Sequence, residues 1–302
     1  MRVLIVGLGS IANKHIDALR KIDLNIEISA LRRKGKSVTT LEGIENVYEI
    51  NSEQFFDFAI ISNPTSEHAN TLELLKDLKI PLFIEKPLFN KLNHEDLISE
   101  LIDNKIPNYV ACNLRFLDCI KFLKNIICNK VINEVNIYCG SFLPDWRPDI
   151  DFRKIYSANK DLGGGVHIDL IHEIDYLVYL FGFPKDVIKT FRSNSSLKIT
   201  AFDYANYLFF YDNFCANVIL NYYRKISKRT IEIICDDGVF DVDLLKNEVF
   251  WNSSLIFKSN QLIKDTYEPQ MKYFINEVWK KKSKNMNNIK EAYNILKLCL
   301  ED

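Results

Sequence analysis

The chain opens on Arg2-Val3-Leu4-Ile5-Val6 and passes without a break into Gly7-Leu8-Gly9-Ser10-Ile11-Ala12. An uninterrupted apolar run is what a strand covered on both faces requires, so the first element predicts the interior of a parallel sheet. The glycine turn then hands the chain straight to a helical pattern that continues to about residue 22. The same rhythm recurs, with strand patterns at 26–31, 58–62, 82–84 and 109–112 and helical patterns at 66–78 and 94–103. Strand–helix alternation over this length predicts an α/β fold with a doubly wound parallel sheet.

After about residue 115 the rhythm changes. A helix at 117–128 leads to a long strand pattern at 131–142, and strand patterns then follow one another at 187–193, 199–211, 215–223, 230–235, 239–244 and 249–251. Asp212-Asn213 and Asp236-Asp237-Gly238 supply hairpin-type turns between them. Consecutive strands joined by short turns predict a second, α+β domain with a large, open, mostly antiparallel sheet. Two helical patterns, at 269–281 and 289–300, close the chain. The boundaries read from this are 1–113 for the first domain and 114–302 for the second.

Gly7, Gly9 and Ala12 form a G-x-G-x-x-A turn in the context that gives such a motif meaning, after a buried strand and at the start of a helix. The first glycine permits the tight turn, the second lets the backbone approach a pyrophosphate, and the alanine keeps helix and strand close. Ser10 and Ile11 lie at the helix N-terminus, whose free N–H groups attract phosphate. The first domain is therefore expected to be a Rossmann dinucleotide-binding domain. At the end of the second strand, where a carboxylate usually holds the ribose 2′-hydroxyl, stand Arg32, Arg33 and Lys34, with Lys36 and Ser37 beyond. Guanidiniums there pair with a 2′-phosphate, so the charge logic favours NADP, with NAD the alternative.

A second concentration of chemistry lies at 163–175, G-G-G-V-H-I-D-L-I-H-E-I-D. Read as one helix over 166–181, it places Leu170, Ile171, Ile174, Leu177, Val178 and Phe181 on one face. Asp169, His172 and Tyr176 fall on the other, at i, i+3 and i+7. A carboxylate and an imidazole on one stripe suit proton transfer, although a surface helix with a wet polar face reads the same way. His167 reads as a packed or helix-start residue, and His15 and His94 as ordinary helix-face residues.

Composition narrows the partners. Hydrophobic residues at 47% and charged residues at 26% are those of a globular protein, and the net charge of −1 gives no case for nucleic acid or an anionic membrane. No apolar run is long enough to span a bilayer, and the immediate entry into a strand leaves no room for a signal peptide, so a cytoplasmic location is expected. The seven cysteines have no C-x-x-C pair and no histidine at ligand spacing. They read as small buried hydrophobes in a reducing compartment, without a metal site.

Several landmarks together resemble the Gfo/Idh/MocA oxidoreductases, the glucose–fructose oxidoreductase and inositol dehydrogenase family. They are G-L-G-S-I-A-N-K-H from Gly7, S-N-P-T-S-E-H from Ser62 to His68, Glu85-Lys86-Pro87, Asn113-Leu114-Arg115-Phe116, and the glycine-led segment ending in D-L-I-H-E-I-D. The resemblance covers the chain to about residue 182. It implies cofactor contacts from Asn63, Pro64, Thr65, His68, Glu85, Lys86 and Asn113, with the Lys86–Pro87 peptide as a candidate cis bond. It implies Lys86 at the reacting hydroxyl and Asp169 and His172 on the substrate side, His172 as general base or acid. Arg115, at the domain junction, is implied as a less direct contact. In many members the aspartate and histidine of this helix stand four apart, whereas here they stand three apart. That spacing is associated with members near nucleotide-sugar and surface-glycan pathways. It leaves both Asp169 and Asp175 as candidates for the substrate-facing carboxylate, with Asp169 favoured.

The expected reaction interconverts a secondary hydroxyl and a ketone on a sugar, nucleotide-sugar or polyol. His172 carries the proton, Lys86 stabilises the alkoxide, and Trp146, Arg147 and Tyr156 are candidate substrate contacts. Two other classes stay open: a glycosidase or lyase of the same fold with only transient hydride transfer, and a non-catalytic NADP-binding sensor. Tyr204, Tyr207, Phe209, Phe210 and Tyr211 suggest an uncovered apolar sheet face, hence a homodimer or homotetramer through the C-terminal sheet.

Overall fold

The computed structural model describes residues 1–33, 41–50, 54–281 and 286–300. By its packing the chain forms two compact units. The first comprises Met1–Cys112 and Tyr267–Leu296, the second Asn113–Thr266 and the residues from Lys297 onward. The chain thus comes back to its first unit near its end, where the sequence reading assigned everything beyond 113 to the second.

The first unit is built on β1 (Arg2–Val6), α1 (Ser10–Ile22), β2 (Glu27–Leu31), β3 (Ile44–Val47), β4 (Phe58–Ile61), α2 (His68–Leu75), β5 (Leu82–Glu85), α3 (Glu95–Asp103) and β6 (Asn108–Ala111). Its six strands are all parallel, in the order β3-β2-β1-β4-β5-β6. The order reverses between β1 and β4, and the ends of these strands at such a switch point are where ligands bind in open α/β sheets. Strands β4, β5 and β6 are buried at every residue, their apolar runs together with Glu85 at the end of β5 and Asn108 at the start of β6. Strand β3, Ile-Glu-Asn-Val at the sheet edge, escapes the sequence reading because four residues with two polar ones show no strand pattern.

The second unit holds α4 (Asp118–Ile126), β7 (Ile132–Phe142), α5 (Val166–Asp169), α6 (His172–Phe181), β8 (Asp186–Arg192), β9 (Tyr204–Phe210), β10 (Cys215–Asn221), β11 (Tyr223–Cys235), β12 (Val239–Asp243), β13 (Glu248–Trp251) and β14 (Ser254–Lys258). They form an eight-stranded sheet in the order β14-β13-β12-β11-β7-β10-β9-β8. Every pairing is antiparallel except β7 with β10. Strand β11 is much longer than its apolar stretch 230–235, because pairing with β7 carries the charged run Arg224–Arg229 into the sheet across a register shift.

Two expectations need correction here. The segment 166–181 is not one helix: it breaks at Leu170, whose φ of −99° and ψ of 32° end α5 after a single turn. The helical wheel therefore misassigns its faces, and Tyr176, placed on the wet side, is fully buried. The aromatic run on β9 is also not an exposed face. Tyr207 and Phe209 point inward and are fully buried, while the opposite face presents Tyr204, Asn206, Leu208 and Phe210. Cys128 departs from the reading of buried cysteines by being exposed.

The last helices, α7 (Tyr267–Tyr273), which runs on as a π-helix over Phe274–Lys280, and α8 (Ile289–Cys299), complete the description. The ring of Phe274 packs edge-on against Phe58 at 5.2 Å and Phe83 at 5.3 Å, so this late segment fills the core under the parallel sheet. Among the described residues no helix is long and apolar enough to cross a membrane.

Candidate functional site

In the first unit the glycine turn has the backbone that its sequence demands. Gly7 sits at φ +92°, and a Cβ there would lie 2.5 Å from the backbone of Asn63, so no other residue fits. Gly9 is different: a Cβ built on it meets nothing within 4 Å. The protein's own packing does not require glycine at that position, which is what a backbone approached from outside by a phosphate group predicts. Gly9 caps α1 without any side-chain hydrogen bond, and the first turn carries no acidic residue. The N–H groups at Ser10, Ile11 and Ala12 and the positive end of the helix dipole therefore suit an anion. By chemistry and shape the turn fits a dinucleotide pyrophosphate.

The loops around it are tied together. Ser62 Oγ donates to the carbonyl of Gly7 at 2.8 Å, and Asn63 Nδ2 donates to Thr71 Oγ1 at 2.8 Å. Pro64 and Thr65 begin a short 3-10 turn. His68 is 1% exposed, with its ring nitrogens 3.0 Å from the Leu88 carbonyl and 3.1 Å from that of Asn63. Burial pushes this imidazole below its ordinary value, so the neutral ring donates to one of the two carbonyls. Its ring ties the Asn63 loop to the Leu88 backbone. The Lys86–Pro87 peptide is cis. Lys86 is half-buried, and its N–H donates to Glu85 Oε2 at 3.2 Å. Glu85 is 8% exposed and its Oε1 lies 2.5 Å from His15 Nε2. His15, read as a helix-face residue, is in fact fully buried. At the end of β2, Arg33 pairs with Glu67 at 2.8 Å on the surface; Lys34, Lys36 and Ser37 lie outside the described residues.

In the second unit Asp169 is 6% exposed and accepts from two phenols, Tyr156 and Tyr222, the latter at 2.5 Å. Burial, and then the Asp169 carboxylate, push the Tyr222 phenol well above its ordinary value, so it remains a donor. Trp146 stands edge-on to Tyr222 at 5.3 Å and is 40% exposed, with its Nε1 donating to Ser141 Oγ at 3.0 Å. Tyr156 is 41% exposed and Arg147 is exposed. The glycine run explains how Tyr156 reaches Asp169: a Cβ on Gly164 would lie 1.9 Å from the Tyr156 carbonyl oxygen. Only glycine lets the two backbones cross there. His172 begins α6 half-buried. These residues make an aromatic and hydroxyl-bearing surface around a carboxylate, the kind of lining that stacks on and hydrogen-bonds a polyhydroxylated ring.

Arg115, Asn113 and Asp175, each named for the site, have partners inside the second unit, and His167 is packed as expected. Arg115, 1% exposed, donates from Nε and Nη2 to both oxygens of Asp175, at 2.9 and 2.7 Å. That bidentate pair commits Asp175 to the interior of the unit. Asn113 is buried and donates to Thr266 Oγ1 at 2.7 Å. His167 is packed between Phe191 and Phe202, each ring 5.3 Å away, and burial lowers its pKa to about 4. The depressed value ties stability to pH. The unfolded imidazole takes a proton near pH 6.5 and the folded one only near 4, so stability is full above pH 6.5 and is lost as the pH falls through that window. A loss on the order of 3 kcal/mol by pH 4 is expected from this residue. Urea unfolding at several pH values compares the wild type with His167→Phe, which should lack that component; parallel curves for the two would refute it.

Two profiles of one family match the chain. The profile for the NAD-binding Rossmann fold of the oxidoreductase family covers residues 1–105, and that for the GFO/IDH/MocA C-terminal domain covers residues 120–241. The chain belongs to the Gfo/Idh/MocA family. It is 23% identical over 206 residues to a myo-inositol 2-dehydrogenase of Thermotoga maritima, a match that spans 65% of this chain and 59% of that protein's length. Its fold is similar to GenD2 from gentamicin A biosynthesis, solved in complex with NAD (TM-score 0.80, 16% identity, 99% of this chain and 92% of the other). It is also similar to the UDP-N-acetylglucosamine 3-dehydrogenase GnnA of Acidithiobacillus ferrooxidans (TM-score 0.77, 17% identity, 99% and 95%).

Within this family member, sequence reasoning missed Tyr222, His15 and the buried pair of Glu173 with Arg229, whose Nε lies 2.6 Å from Oε1. Acidic side chains are rarely buried unless paired, and nothing near Glu173 in the sequence announces its partner. Its partner lies 56 residues away, and Tyr222 lies 53 residues from Asp169. No local pattern links either pair.

Proposed function

We propose that this chain is an NAD(P)-dependent dehydrogenase that interconverts a secondary hydroxyl and a ketone on a sugar, nucleotide-sugar or polyol. The observation that carries it is the start of α1 behind Gly9, with no side-chain cap, no acidic residue in its first turn and open space beside the glycine that a phosphate could occupy. Gly7, Gly9, Ser10, Ile11 and Ala12 hold the pyrophosphate, with Asn63, Pro64 and Thr65 along the same dinucleotide. The nicotinamide supplies a hydride acceptor or donor when bound. His172 takes the hydroxyl proton, and the Lys86 ammonium stabilises the alkoxide. Asp169 acts through its phenols, holding Tyr156 toward the substrate alongside Trp146 and Arg147. The dehydrogenases among the similar proteins act, by their names, on myo-inositol and on UDP-N-acetylglucosamine, and both substrate classes suit a lining of phenol, indole and guanidinium.

Arg32 and Arg33 support NADP over NAD. The Arg33–Glu67 pair is exposed, with the guanidinium side chain 68% accessible. Such surface pairs contribute about 0–1 kcal/mol, less than a bidentate contact to a 2′-phosphate. The outer face of the second sheet, with Tyr138, Ile188, Leu208 and Ile219 among asparagines, supports a homo-oligomer through that face. Nicotinamide absorbance on mixing the protein with myo-inositol or UDP-N-acetylglucosamine, each with NAD and with NADP, tests the reading. A lasting rise in the reduced cofactor with one substrate, and a lower KM for NADP, are expected. No change with any polyol or nucleotide-sugar in a wider panel would end it.

A further inference from the structure

The first unit carries a buried ionisable pair that dinucleotide binding alone does not use. His15 lies in the second turn of α1, the helix whose N-terminus faces the pyrophosphate, and it is fully buried. Its ring is held edge-on between Phe83, at 4.8 Å, and Tyr267, at 5.7 Å. Nε2 lies 2.5 Å from Glu85 Oε1, while the buried Nδ1 has no hydrogen-bond partner. A phenylalanine would fill this aromatic niche and remove the unpaired Nδ1, and what it would lose is the hydrogen bond to Glu85, so that bond and not packing accounts for an imidazole here. Glu85, for its part, ends β5 and turns its second oxygen to the N–H of Lys86. One carboxylate thus joins the interior of α1 to the backbone of the lysine.

We propose that His15 and Glu85 are a positioning pair that couples the seating of a dinucleotide on α1 to the placement of Lys86. The carboxylate accepts from the imidazole on one side and from the Lys86 N–H on the other. The direction in which Lys86 leaves the strand then follows the position of α1. A helix drawn toward a phosphate at its N-terminus moves the imidazole, and the carboxylate passes that movement to the lysine backbone. Neither residue touches the substrate. The inference rests on the reading of Lys86 as the group beside the reacting hydroxyl and the nicotinamide.

Trace acetylation of the full-length protein, with and without NADH, reads the placement of Lys86 without needing the substrate. Mass spectrometry of the Lys86 peptide gives its labelling rate, and NADH fluorescence gives the Kd separately. In the wild type, NADH should slow labelling of Lys86 by about five-fold or more, as a ligand that covers a site does. In His15→Phe the NADH Kd should stay within about three-fold while the protection falls below about two-fold, the signature of a misplaced but intact group. The double variant His15→Phe/Glu85→Leu leaves no unpaired buried charge and should behave in the same way. Glu85→Gln should keep the protection, because an amide oxygen still accepts from Lys86 while its NH2 donates to the other imidazole tautomer. Undiminished protection in both His15 variants overturns the inference and leaves the role of Lys86 standing. Loss of NADH binding in both overturns it too, by placing the pair in the dinucleotide site itself. Absence of protection in the wild type overturns the reading of Lys86, and the inference with it.

Discussion

Replacing His172 with alanine is expected to lower kcat by about 10²- to 10⁴-fold, the usual contribution of a positioned general base. The dinucleotide Kd should move by less than about three-fold, because the proposed pyrophosphate hold is the glycine turn at Gly7 and Gly9, which the substitution leaves intact. The prediction separates His172 from the other histidines by their surroundings. His167 is packed between two phenylalanines, His68 spans two carbonyls, and His15 is bound to Glu85. Only His172 combines partial exposure with a position next to the Asp169 cluster along the chain. Steady-state kinetics with an accepted polyol or nucleotide-sugar measures the loss, and added imidazole should restore part of the rate. A variant within about three-fold of the wild type would remove His172 from the chemistry, since that lies far below any general-base contribution.

Removing one member of the Arg115–Asp175 pair should have the largest effect on stability. Both side chains are 1% exposed, they share two hydrogen bonds, and the guanidinium also lies 5.1 Å from the ring of Tyr179. Arg115→Met strands a buried carboxylate, which costs about 3–5 kcal/mol. Arg115→Met/Asp175→Leu removes both charges and should return most of that loss, because an apolar replacement of a buried ion pair is often neutral or better. Urea unfolding of the two variants against the wild type decides the matter. Equal destabilisation of the single and double variants would show that packing, not charge, dominates the site.

The sequence reading succeeded where local pattern and physics coincide. Val3–Val6 followed by Gly7 and Gly9 specifies a buried strand, a turn and a helix start within ten residues, and the structure has each of them. It failed where a contact between distant residues overrides local pattern. The break at Leu170 is invisible in a helical periodicity that remains apolar on both sides of it. Asp175 read as a candidate substrate-facing carboxylate, and neither it nor Glu173 shows in the sequence the arginine that pairs it, because Arg115 and Arg229 come from elsewhere in the chain. Strands β3 and β14 lie at sheet edges and are only four and five residues long, too short for a periodicity to announce them. At the candidate site the turn at Gly7 was legible because its backbone requirement is local. The phenols on Asp169 were not, since Tyr222 is brought there only by the sheet.

The return of Tyr267–Leu296 to the first unit has a consequence for synthesis. Phe58 and Phe83 have no complete core until Phe274 exists, and β6 meets Asn287 and Ile289 through hydrogen bonds at Asn108 and Val110. A ribosome making about 5–20 residues per second would leave the parallel sheet waiting on the order of ten seconds or more for those partners. During that interval the second unit, made in between, can finish most of its own sheet. The nucleotide-binding half, first to be translated, is therefore the last to close, and a nascent chain interrupted before its final helices carries an unsealed apolar layer for chaperones and proteases to find.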